Sequence, residues 1–94
     1  MALGFVWDPR KASANIVKHR LSFDEALTVF ADELAKIFVD TDHSIDEERE
    51  LIIGHSERGR LLIVSFAAQN DTVRIISARR ATPKEREDYE EAYD

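Results

Sequence analysis

The sequence contains no cysteine, only three glycines and two prolines among its 94 residues, and no apolar run long enough to span a bilayer. Because cysteine is absent, neither a disulfide framework nor a thiolate metal site can form, and stability must come from packing. The first residues also lack the basic region and the apolar stretch of a signal peptide. We therefore expect a cytoplasmic protein that is neither exported nor inserted into a membrane.

Length and hydrophobic content together predict one folded domain over residues 1–94. Hydrophobic residues make up 44% of the chain, which is ordinary for a folded protein. A chain of this length has apolar material for a single core.

The net charge of −6 argues at first against a nucleic-acid-binding protein, because contacts from Lys and Arg to phosphate supply most of that affinity. The distribution of the charge changes this conclusion. Residues 51–84 carry six bases and two acids, whereas residues 40–50 and 85–94 each carry six acids and one base. Electrostatic footprints are local, so a basic face is possible on this acidic protein. The acidic segments are either docking surfaces for a basic partner or solvated helix and loop.

Local capping signals predict three helices. Asp8 is followed by a proline at the first helical position, and Ser22 and Thr82 each precede a glutamate by three residues, as in a capping box. Helical spacing places Asn15 on a polar side of the first helix. The predicted helices run from Pro9 to about His19, from Ser22 to near Ala31, and from Pro83 to about Tyr93.

Between the second and third helices the period changes to two and β-branched residues dominate, which is typical of strands. The predicted strands are Ala35 to Val39, Arg49 to Ser56, Arg60 to Ala67 and Thr72 to Ala78. Short turns containing glycine or asparagine separate the last three, so these should form an antiparallel meander. A polar loop over residues 40–48 separates the first two.

This order predicts an α+β domain of two layers, in which helices cover the one apolar face of a four-stranded antiparallel sheet. The third and fourth strands are apolar at nearly every position and should be central. Arg74 interrupts the fourth strand. Because an unpaired buried charge costs several kcal/mol, we expect Arg74 either to have a partner or to open on a site.

Taken together, these residues resemble the BrnT family of type II toxins, whose fold is similar to that of RelE and ParE toxins. The resemblance covers almost the whole chain, and residues 74–79 are its most specific part. The motifs are Phe5-Val6-Trp7-Asp8-Pro9 with Lys11, Asn15 and Lys18-His19; Ser22-Phe23-Asp24-Glu25-Ala26 with Val29-Phe30; Asp42-His43-Ser44 and Glu47-Glu48-Arg49; Ile53-Gly54 with Gly59-Arg60-Leu61-Leu62; and Arg74-Ile75-Ile76-Ser77-Ala78-Arg79 with Ala81-Thr82, Glu85-Arg86 and Tyr89.

The resemblance implies an endoribonuclease toxin that cleaves RNA, inhibits translation and is neutralised by a BrnA-type antitoxin. That antitoxin carries its own DNA-binding domain, so the toxin would reach DNA only through it, in a higher-order toxin-antitoxin complex that represses its own operon. No membrane partner is implied.

The sequence departs from the family pattern at two places. Arg20 stands where the family usually has a glycine that suits a left-handed helix cap. Residues 66–69 replace a polar run at the end of the third strand. This second departure motivates an alternative function, a catalytically decayed co-repressor that binds a DNA-binding antitoxin.

RNA cleavage without metal needs a base near the 2′-hydroxyl, cations around the phosphorus and an acid for the 5′-oxygen. Arginine is always protonated and grips phosphate through two hydrogen bonds, so it suits the charge-stabilising role. We assign that role to Arg60, Arg79 and Arg80, and proton transfer to Lys18 or His19.

Each candidate also has a structural interpretation. Arg79 would instead pair with Glu85, and His19 would only cap its helix against the macrodipole. Arg60 and Lys18 would be solvated surface charges. The candidate RNA contacts are Trp7, Arg74 and Tyr89. Trp7 would stack a base or anchor the core, and Tyr89 would act as an acid or cover the sheet.

Metal binding is the weakest of the possibilities. His43 with Asp40, Asp42 and Asp46 is the one conceivable ligand set, but the three histidines are far apart in sequence and none forms a pair at helical spacing. We therefore predict no metal and no cofactor.

Overall fold

The computed structural model describes residues 4–41 and 48–92. It confirms an α+β fold but adds a strand before the first helix. The elements are β1 (Gly4–Val6), α1 (Pro9–His19), α2 (Phe23–Leu27) followed by a 3₁₀ turn (Thr28–Ala31), β2 (Lys36–Val39), β3 (Glu50–His55), β4 (Leu61–Gln69), β5 (Thr72–Arg80) and α3 (Pro83–Glu91). None of the helices in these ranges has the length and apolar character required to cross a membrane.

The three helices begin where the capping signals predict. Asp8 accepts a hydrogen bond from the Arg10 N–H at 2.8 Å, and Ser22 Oγ accepts one from the Glu25 N–H at 3.1 Å. Thr82 forms both halves of a capping box with its glutamate. Ser22 and Glu25 form only this first half of a capping box. The Glu25 carboxylate does not bind the Ser22 N–H, because it accepts hydrogen bonds from Ser56 and Arg60 instead.

The sheet has five strands in the order β1-β5-β4-β3-β2, so the prediction of four antiparallel strands is wrong. β3, β4 and β5 form the predicted antiparallel meander, β2 adds to β3, and β1 pairs parallel to β5 from Gly4 to Val6. A strand of three residues is too short to show a period of two, and its pairing depends on a segment about seventy residues away in sequence.

Helices cover both faces of the sheet, so the two-layer prediction is also wrong. α1, α2 and the 3₁₀ turn pack on one side, here called the α1 face. α3 packs on the other side, the α3 face, where Tyr89 contacts Ile53, Leu61 and Ile63. β4 is buried from Leu61 to Phe66 without alternation, as expected for a strand whose two faces are both covered.

Asn15 holds α1 against the sheet. Contrary to the predicted polar side, it is buried. Its amide nitrogen donates to the carbonyls of Leu21 and Ala78, both at 2.9 Å, and its amide oxygen accepts from the Ala78 N–H at 3.1 Å. β1 pairs with β5 only as far as Arg74, so the Asn15 side chain takes the place of a neighbouring strand at Ala78.

Candidate functional site

Arg79 and Arg80, the two arginines at the end of β5, lie on opposite sides of the sheet. Arg79 is paired with Ile63, on the α3 face, and Arg80 with Leu62, on the α1 face. Adjacent strand residues alternate in direction, and the pairing of β5 with β4 is regular from Ser77 to Arg80. The two guanidinium groups therefore do not share one pocket.

Arg79 is oriented by a two-pronged ion pair with Glu85 of α3. Nη1 donates to Oε1 at 2.7 Å and Nη2 donates to Oε2 at 2.9 Å. The guanidinium lowers the pKa of the Glu85 carboxyl to about 2, assisted by the Thr82 backbone N–H and hydroxyl. The side chain of Arg79 is 41% exposed. It is thus fixed in direction but still open to solvent.

A polar cleft of about 330 Å³ lies beside Arg79 on the α3 face. We call it the arginine cleft. Ser65 of β4 and Ser77 of β5 stand directly opposite each other in it. A bulge at Ile76 adds an extra residue to β5, so that Ile76 and Ser77 both line the cleft. The lining residues are Asp40, Arg49, Leu51, Ile63, Ser65, Ile76, Ser77 and Arg79.

Arg74 lies farther along the same face. It is half-buried between Val6 of β1 and Ala67 of β4. Its register in β5 puts it on the side opposite the buried Val73 and Ile75, which pack on the α1 face. Arg74 and Arg79 therefore share the α3 face of one strand.

A second basic surface, here called the basic groove, lies between the end of α1 and the turn that joins β3 to β4. It has a volume of about 610 Å³ and is lined by Ile16, Val17, Arg20, Ser22, Glu25, Arg58 and Arg60. Arg20 ends α1 in the left-handed conformation, with φ of 56° and ψ of 41°, and its N–H donates to the Ile16 carbonyl. Arg20 is thus a non-glycine residue in the strained left-handed region of the backbone.

Arg60 is held in this groove by the buried carboxylate of Glu25. Nε donates to Oε2 at 2.9 Å, and Nη2 makes a further contact to Oε1. Ser56 Oγ also donates to the carboxylate at 2.7 Å. Hydrogen bonding from Arg60 lowers the pKa of Glu25 against the opposing effect of burial, with further help from Ser56. Arg60 is therefore an ion-paired residue rather than the solvated charge of the structural interpretation.

A family model for the ribonuclease toxin BrnT of type II toxin-antitoxin systems matches residues 7–85. The chain belongs to the BrnT family. Its fold is also similar to the crystal structure of the ribonuclease toxin BrnT from Brucella abortus, with a TM-score of 0.67 and 26% sequence identity over 86% of this chain and 99% of that one. No curated protein matches the sequence.

Of the five catalytic residues predicted for this BrnT-family chain, only Arg79 lines the arginine cleft. Lys18 is exposed and His19 is half-buried at the end of α1, on the α1 side of the sheet. Arg60 and Arg80 are on that side too. The five residues are thus divided between two surfaces.

Trp7 and Tyr89, two of the predicted RNA contacts, have structural surroundings. The Trp7 ring packs edge to face on Phe23, with 5.9 Å between the ring centres. Tyr89 is buried, and its hydroxyl donates to the Leu34 carbonyl at 3.3 Å. Both positions match the structural interpretation of these residues.

Sequence reasoning missed three residues of the cleft, namely Arg49, Ser65 and Ser77. Arg49 was visible only as part of a family motif. Ser77 was likewise part of a family motif, whereas Ser65 was marked only as a polar residue within an apolar run of β4.

The proposed metal ligands at His43, Asp42 and Asp46 lie outside the described residues. Across residues 4–41 and 48–92, no three histidine, aspartate or glutamate side chains are grouped so as to hold a metal ion.

Proposed function

We propose that this protein is an endoribonuclease toxin that cleaves RNA without a metal ion, inhibits translation, and is neutralised by a BrnA-type antitoxin. The arginine cleft is the observation that carries the proposal. It combines an oriented but solvent-accessible arginine, a second arginine, two hydroxyls and a carboxylate on one open part of the sheet. Family membership supplies the reaction class.

The cleft suits the negative charge that develops on a phosphate during strand cleavage. Arginine has five N–H donors, and the contacts within the described part of the chain use three of those of Arg79. Because Glu85 fixes the plane of the guanidinium in advance, little reorganisation is needed when a phosphate binds. Arg49, across the cleft, adds a second positive charge.

Asp40 is the carboxylate in the cleft that can serve as the general base. In the proposed step it accepts the proton of the ribose 2′-hydroxyl, and the 2′-oxygen attacks the adjacent phosphorus. The bond from phosphorus to the 5′-oxygen breaks, and the leaving oxygen takes a proton from water. The products are a 2′,3′-cyclic phosphate and a 5′-hydroxyl end. The arginines stabilise the charge on the phosphoryl oxygens, so no metal ion is required.

Lys18, His19 and Arg80 are assigned a different task in this proposal. They lie on the α1 side, together with the basic groove, and would contact phosphates that flank the scissile one. Lys18 and Arg80 are exposed cations, and contacts of this kind contribute affinity that falls as salt rises. Their removal should weaken RNA binding without changing the rate of cleavage at saturating RNA.

The experiment is cleavage of RNA by the purified protein in EDTA. Arg79→Ala and Arg49→Ala should each lower the rate about 10²-fold or more, the effect of removing one preorganised charge-stabilising donor. Arg58→Ala is the matched control, because Arg58 is 71% exposed in the basic groove and should keep the wild-type rate at saturating RNA. Urea unfolding should accompany each assay, since Arg79→Ala also removes an ion pair.

Two results would contradict the assignment. Wild-type activity in a folded Arg79→Ala variant would show that cleavage occurs outside the arginine cleft. Loss of wild-type activity in EDTA, restored by a divalent ion, would show that the reaction needs metal.

The proposed antitoxin carries the DNA-binding function, so the toxin reaches DNA only within their higher-order complex. The description of the family as toxins of type II toxin-antitoxin systems supports this part. In a mobility-shift assay with operator DNA, the toxin alone should cause no shift, whereas the complex should. A shift by the toxin alone would contradict the proposal.

A co-repressor without catalytic activity is the second candidate. Ala67 favours it, because this residue faces Arg74 on the α3 face at a position within the run where the family is polar. Phe66, in the same run, instead packs against Phe30 in the core. Expression without antitoxin separates the two candidates. Growth arrest supports the ribonuclease, and unaffected growth supports the co-repressor.

A further inference from the structure

β2 is an edge strand with unusually apolar exposed residues. It is the last strand of the sheet, and within the described residues only β3 pairs with it. Ile37, Phe38 and Val39 are 55%, 47% and 49% exposed. Edge strands of soluble proteins are normally protected by charges, proline or bulges along their length. β2 carries a charge only at its first residue, Lys36, and its other three residues are apolar and exposed, which indicates an interface.

The pairing of β2 with β3 shows which backbone groups face outward. The Asp40 N–H donates to the Arg49 carbonyl, which makes these two residues a hydrogen-bonded pair. In an antiparallel ladder such pairs recur every second residue, so Phe38 and Lys36 also direct their backbone groups toward β3. The N–H and C=O groups of Ile37 and Val39 therefore point to the open edge.

We propose that this edge binds a second copy of the same chain, with the two β2 strands antiparallel about a twofold axis at Phe38. In this register Ile37 of each copy lies opposite Val39 of the other. These are the residues whose backbone groups face outward, so four hydrogen bonds can form between the copies. Phe38 meets its own counterpart, and two five-stranded sheets become one sheet of ten strands.

Charge complementarity within the strand supports the second copy as the occupant and the register centred on Phe38. Lys36 in β2 and Asp40, the residue after β2, lie two residues on either side of Phe38; the Asp40 hydrogen bond to Arg49 continues the ladder, so alternation places both on the same face. In the proposed register each Lys36 is therefore directly opposite Asp40 of the other copy, where opposite charges stabilise an antiparallel pair. A register centred on Ile37 places Lys36 opposite Phe38 and brings no lysine opposite an acid, whereas a register centred on Val39 pairs residue 36 with residue 42, beyond the end of β2. The strand is thus complementary to itself in both charge and hydrophobicity, as an interface with twofold symmetry requires.

The pairing would also alter the arginine cleft. Asp40 lines that cleft, so Lys36 of the second copy would be placed beside it. The dimer would then bring a cation from one copy to the rim of each cleft. This consequence is separate from the proposed catalytic roles, and the association can be tested without any activity.

The test is sedimentation of the purified full chain over a range of concentrations. The mass should rise with concentration from 10.8 kDa to twice that value. Val39→Pro removes an outward N–H but no hydrogen bond to β3, so it should remain monomeric at all concentrations tested. Lys36→Asp places like charges opposite each other and should weaken association roughly tenfold. The charge-exchanged Lys36→Asp/Asp40→Lys variant should restore it to within about threefold of wild type.

The following results would overturn the proposal. A wild-type chain that is monomeric at every concentration has no such dimer, and a Val39→Pro dimer uses another surface. If circular dichroism shows that Val39→Pro is unfolded, the charge exchange decides, and failure of the double variant to recover association rejects this register. Protection of the β2 amides from exchange only when a different protein is bound would assign the edge to that protein instead.

Discussion

Replacing Asn15 tests whether one side chain closes the edge of β5. Asn15→Ala removes three hydrogen bonds, two to Ala78 and one to Leu21. Ala78 and Leu21 are each 1% exposed, so water cannot easily replace the lost partners. The N–H and C=O of Ala78 lie beyond the last residue paired with β1, and within residues 4–41 and 48–92 no other strand lies on that side.

The expected loss of stability follows from these contacts. A typical hydrogen bond contributes about 1 kcal/mol, and a buried backbone group left without a partner costs about 1–3 kcal/mol. Allowing for some relaxation, we expect Asn15→Ala to lower the free energy of unfolding by about 3–4 kcal/mol. In a domain of this size each kcal/mol corresponds to about 4–8 °C, so Tm should fall by roughly 12–30 °C.

Urea unfolding followed by circular dichroism measures this loss. Ser13→Ala, on the exposed side of the same helix, is the control and should change stability by less than about 0.5 kcal/mol. Asn15→Asp keeps the acceptor but replaces two donated hydrogen bonds with an anion beside two carbonyls. Its folded-state pKa should be raised, so its destabilisation should be greatest at neutral pH and should shrink as pH falls. A loss below about 1 kcal/mol for Asn15→Ala would refute the argument.

Three further predictions concern local features of the fold. The pKa of Glu85 is lowered from 4.5 to about 2, so its ion pair stabilises the fold fully above pH 4.5 and is lost as pH falls through 2. The difference in urea stability between wild type and Glu85→Gln should therefore vanish between pH 4.5 and 2. A difference that stays constant over this range would contradict the prediction. Arg20→Gly should raise Tm, because the positive φ of Arg20 costs about 1 kcal/mol that glycine does not pay. An unchanged or lower Tm would show that no strain is present. Gly54→Ala should lower the free energy of unfolding in urea by about 1–3 kcal/mol, since the new Cβ would lie 2.8 Å from the Cβ of Ala35. Gly4→Ala is the control, because its new Cβ would have no atom closer than 3.8 Å. Equal effects of the two substitutions would argue against a steric cause.

The parts of the fold that depend on neighbouring residues were predictable from the sequence. The caps at Asp8, Ser22 and Thr82 start the helices, and the turns at residues 57–59 and 69–71 set the meander. Both signals act within a few residues, so they are present in the sequence whatever the rest of the chain does.

The candidate site was less predictable, because it depends on which face each side chain occupies. Arg79 and Arg80 are neighbours in sequence but lie on opposite faces, whereas Arg49 and Arg79 are thirty residues apart and line the same cleft. Arg60 was recognised as a candidate cation, but its partner Glu25 was assigned to a capping box. The carboxylate had two possible uses, and local sequence could not show that Arg60 and Ser56 would bind it.

By itself the sequence determined the family, the three helices, the antiparallel meander and the basic character of residues 51–84. Tertiary structure alone decided the parallel pairing of β1, the burial of Asn15 and the division of the arginines between two surfaces. The physical reason is the separation in sequence between the groups that interact. Caps and turns are satisfied by adjacent residues, whereas the partner of a strand edge, a buried amide or a carboxylate is supplied by whichever distant segment the packed fold brings to it.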